Sequence, residues 1–411
     1  MAGTFDRMRL APVADWLAVA IAASLPWSTS ATAIMVVLWL IALVPTLAAD
    51  DVRLRRDLAA AAIVLPALLV LLGVLGMLWA DVSWAARFKG VDSFVKLLAI
   101  PLLFMQFRRS ERGLCVLAAY LISCTLLMLA SMVVFAVPPL SAVLMHPDNV
   151  LVKNSPTQSG EFVTCIACLL FLCVDAFETR RWRRLLGFGA IALGMFVNIA
   201  FVATGRTALV VLLVLLVVFA FKMLSARGTA ILCAVTIAVG AVAWFSSSYL
   251  RARTEQVWSD IQKYQTIDQG NSAGERIVFY KKSIAIISAA PIVGHGTGTI
   301  VSQFAQSAIG QSGTGTLVTT NPHNQTFAVA IQLGLVGAAV LWAMWIAHLL
   351  LFRGVGLTAW VGTVIVVQNI VGSLFNSHLF DFTQGWSYVL GVGVAGGVML
   401  KQAYKPAPGG P

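Results

Sequence analysis

Charge is what this chain has least of. Of its 411 residues only 11% are Asp, Glu, Lys or Arg, against about 25% in an ordinary soluble domain. That shortage excludes a water-soluble globule, and the 59% of hydrophobic residues says what replaces it. Acidic residues are scarcer than basic ones, 17 against 28, leaving a net charge of +11. In so apolar a chain that excess marks loops that set membrane topology, not a nucleic-acid surface. Cysteine is sparse too. All six (Cys115, Cys124, Cys165, Cys168, Cys173, Cys233) fall within apolar runs, and the Cys165/Cys168 pair has no second pair to complete a zinc site, so they read as packing residues. No DxD or HExxH spacing occurs in the loops. The glycine-rich "GHGTG" at 294–298 lacks the lysine of a phosphate-binding loop. No metal or other cofactor is therefore expected.

What is present is a series of apolar runs near the length that crosses a bilayer. Twelve spans are expected, near 11–27, 31–48, 58–79, 92–107, 114–137, 160–178, 185–203, 207–223, 229–246, 324–352, 355–375 and 382–399. The first run has no small-residue cleavage site after it and reads as a span, not a signal peptide. The fourth is short and interrupted by Pro101; the tenth is long enough to tilt or protrude. One integral membrane domain, 1–411, is expected. A long insertion over 247–322 separates spans nine and ten, and a disordered tail runs over 401–411.

Short-loop basic residues fix the orientation. Arg7, Arg9, "RLRR" at 53–56, "RRSER" at 108–112, "RRWRR" at 180–184, Lys222, Arg227, Arg353, Lys401 and Lys405 lie in one set of loops; Arg87, Lys89, Lys96, Lys153 and Arg206 lie in the other. Both termini are thus expected in the cytoplasm and the 247–322 insertion outside. Within it, 250–265 reads as a polar helix. "GERIVFYKKSIAIIS" at 274–288 reads as an amphipathic helix lying on the membrane surface, with Ile277, Ile284 and Ile287 apolar. "DQGNSAG" is a turn, and "PIVGHGTGTI" and "GQSGTGT" read as flexible.

The outer face gathers the chemistry. In "TTNPHNQTF", Asn321 suits an N-cap and Pro322 a first helical position. His323 would then sit at a helix N-terminus, where the dipole disfavours the imidazolium and leaves a neutral base. Arg206 sits in the tight turn "TGR" between two apolar runs, Arg276 in the amphipathic outer helix, and Lys153 in a polar loop beside Asn154, Gln158 and Glu161. Guanidiniums match phosphate oxygens bidentately, so this set reads as a diphosphate site beside a base. A donor used outside the cell, where nucleotides are not supplied, must arrive preactivated on a lipid. Glu161 and Asp175 are the charges inside a span; His378 and Asp381 in "NSHLFDF" read as a polar turn near the acceptor side.

These residues resemble the bacterial O-antigen ligases, within the wider O-antigen ligase and polymerase superfamily. The ligase pattern is His, then Asn, Ser or Gln, nine residues, Gly, two residues, then Gly, Thr or Tyr. His323, Asn324, Gly334 and Gly337 fill it at that spacing. "TGRTAL" around Arg206 and "GERIVFYKKSI…PIVGHGTG" around Arg276 look like the family's two arginine motifs. The resemblance implies a GT-C-like all-α fold of about twelve spans with a large periplasmic loop that contains short helices. It implies an inverting, metal-independent glycosyltransferase of the inner membrane. That enzyme moves O-antigen polysaccharide from undecaprenyl diphosphate to the lipid A–core oligosaccharide on the periplasmic face. His323 would deprotonate the acceptor hydroxyl; Arg206 and Arg276, with Lys153, would hold the diphosphate; Asn324, Gly334 and Gly337 would support, the glycines by letting the helix pack closely. An O-antigen polymerase, a protein O-oligosaccharyltransferase and a twelve-span transporter or flippase are the rival readings.

Overall fold

A computed structural model of the chain describes residues 2–47, 58–145, 150–203, 205–252, 254–255 and 272–404. All regular elements among them are helical. Among the described residues eight helices are long and apolar enough to cross a membrane, and three shorter apolar helices accompany them. Phe221, Phe245 and Ile237 stand 72–87% exposed, while Gln158, Asn198, Gln332 and His348 are buried. An apolar exterior around a polar-seeded interior is the arrangement a bilayer demands and water forbids. The chain is a polytopic all-α membrane protein.

In chain order the helices are α1 (Ala2–Ser24), α2 (Thr29–Leu43), α3 (Leu58–Leu75), α4 (Trp84–Val95), α5 (Ala99–Phe107), α6 (Gly113–Ala136), α7 (Pro138–Leu144), α8 (Ser155–Glu178), α9 (Trp182–Phe201), α10 (Arg206–Met223) and α11 (Ala226–Ser246). After the undescribed residues come α12 (Ser272–Ala289), α13 (Ile300–Ala308), α14 (Gln325–Leu351), α15 (Leu357–Gly372) and α16 (Phe382–Tyr404). Side chains close several N-termini: Ser28, Ser83, Asn154, Ser225 and Asn324 each accept a backbone N–H of the following turn. One core joins most of the bundle around Trp39, Phe94, Phe107, Trp345, Trp360 and Tyr388. Cys124, Cys165 and Cys168 are free thiols buried in it.

Several expectations are corrected. The fourth span begins at Trp84, not 92, because Ser83 caps it by accepting from Ala86 N at 3.3 Å. Its irregularity is the 3₁₀ turn at Lys96–Leu98. Pro101 lies in the first turn of α5, where its missing N–H costs nothing. The amphipathic helix α12 does not rest its apolar face on lipid alone. Phe279 and Ile286 pack with Phe304 of α13 and Ile331 of α14. The expected tail is helical as far as Tyr404, since Lys401 pairs with Glu111 at 2.5 Å and donates to Ser110 O at 3.0 Å; the remainder lies outside the described residues. Most of the polar helix expected at 250–265 and the first residues of the "DQGNSAG" turn lie outside them as well.

The largest departure is inside α14. Gly334 has φ 63° and ψ −163°, a conformation essentially confined to glycine, and it breaks the helix nine residues after the start. The segment 291–298, expected to be flexible, clasps that break. His295 N and Gly296 N donate to Ile331 O and Gln332 O (both 2.9 Å), and Leu335 N donates to Pro291 O at 2.8 Å and Val336 N to Ile292 O at 3.2 Å. Gln332 Oε1 accepts from Gly298 N at 2.8 Å. The same segment reaches α3, where Thr297 donates through N to Gly76 O (3.0 Å) and through Oγ1 to Gly73 O (2.6 Å). Gly334 is thus a backbone requirement beyond close packing, while Gly337 lies buried in regular helix three residues on.

Gly334→Ala should cost about 1–3 kcal/mol and lower the thermal midpoint of the detergent-solubilised protein. Gly240→Ala is the matched control. A Cβ there meets nothing within 4 Å, so the change should be neutral or stabilise by up to about 1 kcal/mol.

Candidate functional site

The loop 317–324 approaches α14 from outside the helix. Asn324, with φ −153°, is the N-cap, its Oδ1 accepting from Phe327 N at 3.1 Å. This corrects the expected Asn321/Pro322 cap. Asn321 is occupied elsewhere: its Oδ1 accepts from His323 N (2.8 Å) and Ser377 Oγ (2.7 Å), and its Nδ2 donates to Asn376 Oδ1 at 2.6 Å. His323 therefore precedes the helix, at φ 55° in the left-handed region. Asn321, braced by the side chains of Asn376 and Ser377, holds it there.

The imidazole of His323 stacks on Phe279 of α12, with ring centres 5.9 Å apart and planes 19° apart. Its Nδ1 is buried and makes no hydrogen bond. Burial, and then the charge of Arg276, push its pKa below the usual 6.5, against a smaller upward pull from Asn376. The neutral form is thus favoured, by desolvation first and then by a neighbouring cation. One turn after Arg276 on α12, the Tyr280 hydroxyl lies between His323 O, at 3.0 Å, and Leu374 O. Tyr280 also packs edge-on against Phe327, at 5.3 Å. This one tyrosine ties α12, the histidine loop and the end of α15 together. Arg276 Nε is buried without a hydrogen-bond partner.

Arg206 begins α10. The preceding Gly205 donates its N–H to Ser159 Oγ at 3.0 Å, and Ser159 donates to Ala203 O at 2.7 Å. A Cβ at Gly205 would lie 2.9 Å from Ser159 Cβ, so the turn sits hard against the start of α8. Thr157, half a turn before Ser159, accepts from Gln384 of α16 at 2.9 Å. The turn before α16 carries Asn376 and Ser377, which hold Asn321. Arg206 and His323 accordingly lie at one end of the bundle, on frameworks joined through α8 and α16.

Lys153 is placed differently from the expectation. Its ammonium donates to Leu25 O and lies 3.5 Å from Glu161 Oε1, which takes it out of a cationic cluster. Burial lowers its pKa, and Glu161 partly offsets that. In the 376–381 turn, Asn376 Nδ2 donates to Asp381 Oδ2 at 2.6 Å, and Lys96 donates to Phe380 O and Asp381 O, both at 3.0 Å. Burial raises the Asp381 carboxyl to about 6 and lowers His378 to about 4. Among the described residues no three His, Cys, Asp or Glu side chains gather as metal ligands do. Tyr280, Asn376 and Ser377 were not singled out from sequence. The local signals for them were the i+4 spacing of Tyr280 from Arg276 and, for Asn376 and Ser377, their place in the polar turn "NSHLFDF".

Titration of the histidine rings by NMR should find His323 half-protonated below pH 6.5. Arg276→Gln should move that value upward, because it removes a cation that opposes protonation. An unchanged or lower value would show that the guanidinium does not act on the ring.

No curated protein matches the chain. Residues 191–343 match a family model described as O-antigen ligase. The matched stretch contains Arg206, Arg276, His323, Asn324, Gly334 and Gly337, but neither Lys153 nor Glu161. The match spans little more than a third of the chain, and over that stretch the chain is similar to the family so described.

Proposed function

We propose that the protein is an O-antigen ligase of the bacterial inner membrane. It transfers polysaccharide from undecaprenyl diphosphate to a hydroxyl of the lipid A–core oligosaccharide. The observation that carries this reading is His323: a half-buried imidazole, disfavoured as a cation, fixed through its backbone beside Arg276 and left with an unpartnered ring nitrogen. That is what a general base requires. His323 takes the proton of the acceptor hydroxyl as its oxygen attacks the anomeric carbon. The bond from that carbon to the diphosphate oxygen breaks, and the diphosphate departs on the lipid. Attack from the face opposite the leaving group inverts the anomeric centre.

Arg276 and Arg206 bind the diphosphate and stabilise the charge it gains, the role a divalent cation plays in many transferases. No metal is required in this scheme. Asn324 caps the helix behind the base, and Gly334 sets the clasp that brings α12 to it. The distribution of basic residues in short loops supports cytoplasmic termini and a periplasmic site.

In a deletion strain, complementation should fail with His323→Ala, Arg276→Ala or Arg206→Ala while each protein still inserts. Purified protein should lose roughly 10²–10⁴-fold in transfer without the base and about 10²–10³-fold without either arginine. Full activity of His323→Ala would sink the base assignment. A chelator should leave transfer unchanged; loss restored by magnesium would refute metal independence. Rough lipopolysaccharide with accumulated lipid-linked polymer is the expected deletion phenotype, whereas a core bearing a single repeat unit would identify a polymerase.

A further inference from the structure

At the end of the bundle opposite Arg206, the junction of α8 and α9 carries Arg180, Arg181, Trp182, Arg183 and Arg184, all exposed. The 20 residues of α9 separate it from the Arg206 turn, a distance of about 30 Å. Basic residues of the neighbouring turns are matched by protein groups. Arg112 pairs with Asp15 at 3.1 Å, Lys401 pairs with Glu111 at 2.5 Å, and Lys222 donates to Thr363 Oγ1 at 2.7 Å. The four guanidiniums at this junction are not. Among the described residues none of them makes a hydrogen bond or an ion pair, although Asp175 and Glu178 closely precede them. Arg180 also holds φ 54°, in the left-handed region. Its N–H donates to Phe177 O at 3.1 Å and that of Arg181 to Ala176 O at 2.8 Å, a helix ending that usually takes glycine at this position. The chain keeps an arginine where glycine would be easier.

The apolar part of this surface continues from the charged part. Phe177 and Trp182 meet edge-on, with ring centres 5.7 Å apart, and stay 59% and 54% exposed. Exposed tryptophan at the end of a span sits at headgroup level. One turn further along α9, Leu186 is exposed, and a Cβ added at Gly187 or Gly189 would meet nothing within 4 Å. Packing within the chain does not account for these glycines, and the recess they leave admits a hydrocarbon chain against the helix backbone. Charge complementarity names the occupant. Guanidiniums bind phosphate oxygens bidentately, and this junction joins two membrane-crossing helices, at the level of lipid phosphates. We propose that the 180–184 junction docks the headgroup of an anionic phospholipid, whose acyl chain lies along Trp182, Leu186 and the recess at Gly187 and Gly189. The site is independent of the proposed function, whose diphosphate is bound at the other end of α9. Membrane orientation asks only for positive charge, which lysine supplies as well. A docked phosphate uses the guanidinium fork.

The test titrates the purified full-length protein with phosphatidylglycerol and with phosphatidylcholine of the same acyl chains, and native mass spectrometry counts the lipid retained. The wild type should retain phosphatidylglycerol about tenfold better. Arg180→Lys, Arg181→Lys, Arg183→Lys and Arg184→Lys in one protein keep the charge that orients the chain and should cut that retention roughly threefold or more. Gly187→Leu fills the recess without altering charge and should reduce it as well. Inorganic phosphate in large excess should not displace the lipid. A wild type without the preference, or equal retention in either variant, overturns the proposal. So does displacement by inorganic phosphate, which would mark a site for a free anion.

Discussion

A helix crossing hydrocarbon has to satisfy its own backbone, and α14 does not. The break at Gly334 releases carbonyls and N–H groups inside a span, where an unpaired backbone group is costly. Segment 291–298 takes them instead, with four backbone hydrogen bonds across the break. The α12 half of the candidate site follows from this repair. The clasp is the C-terminal continuation of α12, so once it is seated, Arg276, Phe279 and Tyr280 are delivered to the loop that leads into α14. The histidine and the arginine share an electrostatic environment because one glycine gave up its place in a helix.

That environment works by opposition. An arginine beside an imidazole makes its protonation unfavourable, and burial acts in the same direction. A cation suited to an anionic leaving group thus also keeps the neighbouring base unprotonated. The turn before α16 contributes neutral amides and a hydroxyl at this point, with Asp381 set behind Asn376. Had Asp381 faced His323 directly, it would have favoured the imidazolium and worked against the arginine.

The membrane architecture was legible in the sequence because apolar runs and loop charges report it directly. The spacing from His323 to Gly334 and Gly337 was legible as a pattern. Its meaning was not, since a glycine within a span reads as a small packing residue until the segment some forty positions earlier is seen seated against it. The N-cap was misplaced by three residues because Asn321 and Asn324 are equally suited by type. Only the tertiary partners of Asn321, on a turn more than fifty residues away, decide between them. Lys153 read as one more cation on the outer face. Its partner Glu161 was visible eight residues on, but the loop geometry that turns the ammonium inward was not.

The anchoring of Thr297 on α3 carries a consequence for biogenesis. Its hydroxyl donates to Gly73 O, a partner made 224 residues earlier. At synthesis rates of about 5–20 residues per second, α3 waits roughly 10–45 s for the segment that completes it. Throughout that interval the last turn of an early helix is inserted but unfinished, and the groove meant for the clasp stands open to lipid or to a chaperone.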